Sequence, residues 1–164
     1  MPFATADLCD NHPHFLASGE LAILPPVFRH YGKRTRFCGR VVTLKVFEDN
    51  AIVRSALEAP GHGSVLVVDG GGSMRCALVG GNLATLAQDN GWSGVLVYGC
   101  VRDSEEIGAR EVGVLALGTH PLRSSKKGEG ERNARVCVAG LHIQPGDWLY
   151  ADRDGTVIAR HKIA

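Results

Sequence analysis

An excess of charge of one sign is the first thing this chain lacks: 18 Lys and Arg stand against 17 Asp and Glu, a formal net charge of +1. So even a balance gives no electrostatic case for nucleic acid or an acidic membrane surface as partner. No apolar run approaches the length of a membrane span. The opening stretch MPFATADLCDNHPHF has neither the basic flank nor the long apolar core of a secretory leader. The five cysteines, at 9, 38, 76, 100 and 137, are odd in number and never spaced C-x-x-C. That argues against a disulfide framework or a zinc site and for reduced thiols in a cytoplasmic protein. Internal repeats, a P-loop, a full G-x-G-x-x-G and a G-x-S-x-G are all missing.

What is present suits a single globular domain over residues 1–164, since 45% of the residues are hydrophobic and 21% charged. A short helix is expected from Thr5 to Cys9 with Thr5 as its N-cap, followed by irregular chain to Tyr31. Residues 36–47 read as β-rich. Asp49 or Asn50 then caps a helix over Ala51–Ala59, closed by Pro60-Gly61. Ser64–Asp69 and Met74–Val79 read as a hairpin across a glycine turn, DGGGSMR, whose other reading is an anion nest. A helix over Leu83–Asn90 stops at Gly91. The strand Gly94–Tyr98, a helix over Ser104–Arg110 and a strand over 113–120 complete a βαβαβ-like middle. Residues 121–135 read as a solvated loop, whose basic residues Arg123, Lys126, Lys127, Arg132 and Arg135 are diluted by Glu129 and Glu131. Short strands and turns fill the remainder, with Asp147, Asp152 and Asp154 as turn residues. The fold class is α/β with mixed strand directions.

Charge is concentrated where the strand ending GVLVYGC gives way to VRDSEE. Two readings stand side by side. Asp103-Ser104-Glu105-Glu106 is a capping box, with Asp103 as N-cap and Glu106 reaching back. Alternatively, Asp103 and Glu106 share one face at the C-terminal edge of the sheet, where α/β proteins bind ligands. Two neighbouring carboxylates favour a cation, and oxygen-only ligation selects magnesium or manganese. Arg102, which gains nothing from a helix N-terminus, would then meet an anionic substrate. The turn VGGNLA at 79–84 offers glycines and helix-start N–H groups to a carboxylate at the end of a second strand. His62, His120 and His142 show no metal-ligand spacing.

These stretches (TADLCD, FEDN, VLVVDGGGSMRCALVGGNLA, GVLVYGCVRD and GDWLYADRDG) together resemble the RraA-like family over nearly the whole length. That family holds both regulators of ribonuclease E and class II 4-hydroxy-4-methyl-2-oxoglutarate aldolases. Its aldolase branch is marked by Gly or Asp, twenty residues, then Arg-Asp; where glycine comes first, an acidic residue follows two positions beyond. Gly81, Arg102-Asp103 and the run Ser104-Glu105-Glu106 satisfy the pattern. The resemblance implies a swivelling β/β/α-type sandwich in a homotrimeric ring with sites between subunits. It implies Asp103 as direct ligand of a divalent metal, Glu106 in its outer shell through water, and Arg102 against the substrate. The backbone of Gly80, Gly81, Asn82 and Leu83 would hold the substrate carboxylate. It also implies retro-aldol cleavage of 4-hydroxy-4-methyl-2-oxoglutarate to pyruvate, with oxaloacetate decarboxylation as a side activity. The alternative is a non-catalytic protein that binds ribonuclease E or its helicases. Some aldolases of the family add a C-terminal extension that donates an acidic residue to the adjacent site.

Overall fold

The computed structural model describes residues 2–164. Two short helices, α1 (Thr5–Asn11) and α2 (Pro13–Ser18), precede strands β1 (Leu21–Ile23), β2 (Arg29–His30) and the long β3 (Phe37–Lys45). The middle runs α3 (Ala51–Glu58), β4 (Val65–Asp69), β5 (Ala77–Val79), α4 (Gly81–Asp89), β6 (Gly94–Val101), α5 (Ser104–Gly108) and β7 (Gly113–Thr119). The last third adds β8 (Glu131–Arg132), β9 (Val136–Val138), β10 (Leu141–Ile143), β11 (Trp148–Ala151) and β12 (Thr156–Ala159).

The main sheet is mixed, in the order β1-β12-β11-β3-β4-β6-β7-β2. Strand β3 serves both halves: Phe37–Arg40 pair antiparallel with β11, and Val41–Lys45 pair parallel with β4. Strands β4, β6 and β7 continue in parallel, and their side chains alternate between two cores. Leu66, Val68, Val95, Val97, Val114 and Ala116 face α3 and α4, meeting Val53, Leu57, Ala84 and Ala87. Val65, Val67, Leu96 and Leu115 face the other way, onto the β9–β10 hairpin and β11 through Val136, Val138, Ile143 and Leu149. Burial on both faces is why these strands read as unbroken apolar runs. The layering is sheet, hairpin and helices, the β/β/α arrangement that the family resemblance implies.

Three local expectations change. Strands β4 and β5 are not a hairpin: both lie parallel to β6, β4 beside Gly94–Tyr98 and β5 beside Cys100 and Val101. The glycine stretch between them is a loop along one edge, not a reversal of direction. It is tied down by Glu48, which accepts from Ser73 Oγ at 2.6 Å and from Arg75 Nε and Nη2 at 2.6 and 2.7 Å. Thr5 is not an N-cap but the first residue of α1, since its N–H and Oγ1 both donate to the buried Asp152, each at 2.7 Å. A buried carboxylate 147 residues away thus displaces the local capping role. The stretch after α1 is not irregular either: Pro13 sits in the first turn of α2, where its missing N–H costs nothing.

Candidate active site

Strands β5 and β6 end side by side, and the Arg102 N–H donates to Val79 O at 2.9 Å, locking the two strand ends together. The turn into α4 and the turn into α5 therefore face each other. Asp103 takes the left-handed conformation, φ 56°, which Asp tolerates better than most residues. Its carboxylate makes no cap bond to its own helix. Instead Oδ2 accepts from the Gly81 N–H at 2.9 Å, across to the start of α4. The capping-box reading fails at Asp103 for this reason, and the carboxylate joins the two turns.

Carboxylates stand over both Gly80 and Gly81. A Cβ on Gly80 would lie 2.8 Å from Asp103 Oδ2, and one on Gly81 would overlap the Glu106 carboxylate. Neither glycine has positive φ. A side chain at either position would have to move a carboxylate aside, and no special backbone conformation is called for. Glu106 also lies 3.6 Å from Arg110 Nη2. Within α4 the first N–H groups have no intrahelical acceptors. Gly81's is given to Asp103, and those of Asn82 and Leu83 belong to the same helix start.

A cleft of about 230 Å³ opens over this junction, with Gly80, Asn82, Leu83, Arg102 and Asp103 along one wall. All the site residues proposed from sequence except Gly81 and Glu106 line it, and the Glu106 carboxylate lies against Gly81. The rest of the lining was not legible in the sequence: Asn50 and Arg54 from the start of α3, and Arg123 and Lys126 from the segment read as a solvated loop.

That loop is fixed by Asp49, only 2% exposed. One carboxylate oxygen accepts from Ala51 N at 3.0 Å, and the other from Lys127, Gly128 and Glu129 N–H at 2.8, 3.1 and 3.3 Å. Burial pushes the Asp49 carboxyl up, but these backbone donors outweigh it and hold the group below the ordinary aspartate range. The loop is further pinned by Asn50 N to Ser125 O at 3.1 Å and Ala77 N to Leu122 O at 2.7 Å. Asp49 meets Lys127 across 78 residues, a pairing no local pattern encodes.

Cys76 and Cys100, both buried nearby, are pushed up by burial, which makes them poor thiolate nucleophiles at neutral pH. Among the described residues no three His, Cys, Asp or Glu side chains form a ready-made metal cage. No helix among them is long and apolar enough to cross a membrane.

Proteins similar to this chain carry different names. A protein of Arabidopsis thaliana, provisionally named 4-hydroxy-4-methyl-2-oxoglutarate aldolase 3, is 57% identical over 99% of this chain and 98% of its own. A Burkholderia multivorans protein with the same provisional name is 58% identical over 97% of each chain. Among solved structures, the RNA-processing inhibitor RraA of Thermus thermophilis matches with TM-score 0.93 and 48% identity over 100% of this chain and 96% of that one. A Geobacillus kaustophilus structure titled as an S-adenosylmethionine:2-dimethylmenaquinone methyltransferase matches with TM-score 0.92 and 45% identity over 98% and 97%. The family model described as RraA-like, Aldolase/RraA, matches residues 5–158, and with relatives this similar over their whole length, the chain belongs to the RraA-like family.

Proposed function

We propose that the protein is a class II aldolase that cleaves 4-hydroxy-4-methyl-2-oxoglutarate to pyruvate, with oxaloacetate decarboxylation through the same enolate. The observation that carries this reading is the Asp103 carboxylate turned away from its own helix and onto the Gly81 amide. It sets an acid, an arginine and a helix start on one cleft. The provisional aldolase names of the plant and Burkholderia relatives support it.

The donor set fits a hard divalent ion. Asp103 spends one oxygen on Gly81 and has a second to offer, with the Glu106 carboxylate just behind. Magnesium or manganese commonly takes one or two carboxylates and keeps several waters, so a three-residue cage is not needed. Asp103 would hold it directly and Glu106 through water. Once bound, it supplies Lewis-acid polarisation of a 2-oxo acid's carbonyl.

The chain's own residues supply the rest. The helix start at Asn82 and Leu83 receives the carboxylate next to the keto group, with its N–H donors and positive dipole end. Water in the cleft takes the proton from the 4-hydroxyl as the C3–C4 bond breaks. The bonding pair goes to C3 as a pyruvate enolate, C4 becomes the carbonyl of a second pyruvate, and C3 is finally protonated. Arg102, on the same wall, faces the growing enolate charge, a placement worth about 3–4 kcal/mol for a stabilising donor of this kind.

The single domain would work in a homotrimeric ring. The exposed apolar side chains Phe47, Met74 and Leu122 around the glycine loop support a subunit contact near the cleft. The test is pyruvate release from 4-hydroxy-4-methyl-2-oxoglutarate and from oxaloacetate, with and without added magnesium or manganese. Asp103→Ala should lose turnover about a thousandfold while circular dichroism and melting stay those of a folded protein. Absence of metal-dependent release in the wild type would overturn the reading. In that case, recovery of ribonuclease E or a helicase on immobilised protein would favour the regulator's role named for the Thermus relative.

A further inference from the structure

Arg102 carries the charge that faces the proposed enolate, so whatever holds its guanidinium still sets how much that charge is worth. Among the described residues it makes no ion pair. Its Nη1 donates to Pro121 O at 3.4 Å, a long bond that lasts only if the carbonyl stays where it is. An arginine side chain is otherwise free to turn about its many bonds.

That carbonyl belongs to a three-residue turn that leaves β7 and crosses the ends of β6 and β5. His120 N–H donates to Val101 O at 2.9 Å, and Leu122 O accepts from Ala77 N–H at 2.7 Å, so both ends of the turn are fixed to strand ends. Between them the Leu122 N–H donates to His120 Nδ1 at 3.1 Å, closing the turn through a side chain as an Asx turn does. Pro121, in the middle, has no N–H to spend and a φ fixed by its ring, so its carbonyl is what the turn has left for Arg102. A cavity of about 200 Å³ beside the turn is lined by Arg102, Asp103, Ser104, Thr119, His120 and Pro121. The histidine that fits no metal pattern in the sequence has a use here.

We infer that His120 is a positioning residue for Arg102: its Nδ1 closes the turn that presents the Pro121 carbonyl, and that carbonyl fixes the guanidinium before substrate arrives. In this role the histidine acts through Arg102 and need not touch substrate. The kinetic consequence rests on the aldolase reading, in which Arg102 meets charge that grows as the C3–C4 bond breaks. Loss of the turn then lowers kcat and leaves KM nearly as it was. An asparagine at 120 keeps the turn, because its Oδ1 stands as many bonds from the backbone as the histidine Nδ1 and accepts from the N–H two residues on.

The test sets His120→Leu, which has no acceptor, against His120→Asn, which has one. His120→Leu should lower kcat for pyruvate release about tenfold at unchanged KM, and His120→Asn should stay within about twofold of the wild type. In an Arg102→Met background His120→Leu should cost nothing further. Wild-type rates in His120→Leu, equal losses in the two histidine variants, or an additive double-mutant cycle overturns the inference. The Arg102 Nε–H resonance, assigned by its loss in Arg102→Met, reads the guanidinium without turnover. Its heteronuclear NOE should drop in His120→Leu and hold in His120→Asn. If the wild type releases no pyruvate, it is the aldolase reading that fails, and the NOE alone decides the positioning role: a value unmoved by His120→Leu sinks it. Should the leucine variant not fold, His120→Ala takes its place.

Discussion

The carboxylate of Glu106 fills the space that a side chain on Gly81 would need. On the proposed function this contact would give the family spacing a physical meaning: an acid beside Asp103 would grow from position 81 or reach in from α5, the two competing for one space. Gly81→Asp should therefore damage the site, crowding two like charges into one place at a cost of about 1–3 kcal/mol. Gly81→Asp combined with Glu106→Ala should recover much of the loss. A double-mutant cycle on turnover and melting checks this, and additive effects would refute the shared position.

Arg102 also donates from Nη1 to Pro121 O, at 3.4 Å. Arg102→Lys keeps the charge but loses the planar fork. We expect kcat/KM to fall about 10–100-fold with little change in melting temperature. Steady-state kinetics on both 2-oxo acid substrates would settle it; a variant with wild-type rates would remove Arg102 from the chemistry.

Asp49 couples pH to the order of the loop that carries Arg123 and Lys126. Its folded pKa lies below the ordinary 3.8, so its contribution to stability is present above that value and is lost as pH falls through the folded one. Asp49→Asn leaves N–H groups of residues 127–129 short of an acceptor and should cost about 1–3 kcal/mol at neutral pH. The variant's melting temperature should also fall less steeply than the wild type's below pH 4. Parallel acid-melting profiles of the two proteins would contradict this.

Asp152 does the same for the N-terminal helix. Burial pushes its carboxyl up, but the Thr5 hydroxyl and N–H and the N–H groups of Asp154 and Gly155 bring it below the ordinary range. Thr5→Val should destabilise the protein by about 1–2 kcal/mol and speed amide exchange in α1 before the parallel strands. Exchange that stays uniform across the chain would mean α1 is not held this way.

Cysteine labelling should follow exposure. Cys137 is exposed, whereas Cys76 and Cys100 are buried with thiols pushed up by that burial. Iodoacetamide at pH 7.5 should modify Cys137 first and leave turnover intact. Inactivation that tracks alkylation of Cys76 or Cys100 would count against a carboxylate-centred site.

The sequence by itself determined what is local and periodic. The apolar runs at 64–69, 94–98 and 113–120 read as strands, and 94–98 as one buried on both faces. Gly81 and Arg102-Asp103 stood at strand ends because their neighbours are strand formers followed by helix signals. The tertiary structure decided everything that depends on residues far apart in the chain. It placed β5 alongside β6 instead of against β4, because β6 runs past the end of β4 and leaves Cys100 and Val101 open on that side. It took Thr5 from its cap and gave it to Asp152, since a buried carboxylate must find donors wherever they are. By the same need, Asp49 drew residues 127–129 inward, and the segment they belong to lends Arg123 and Lys126 to the cleft lining. A capping box and a ligand-facing acid look alike in sequence; only the arrival of the Gly81 amide, 22 residues away, shows which way Asp103 turns.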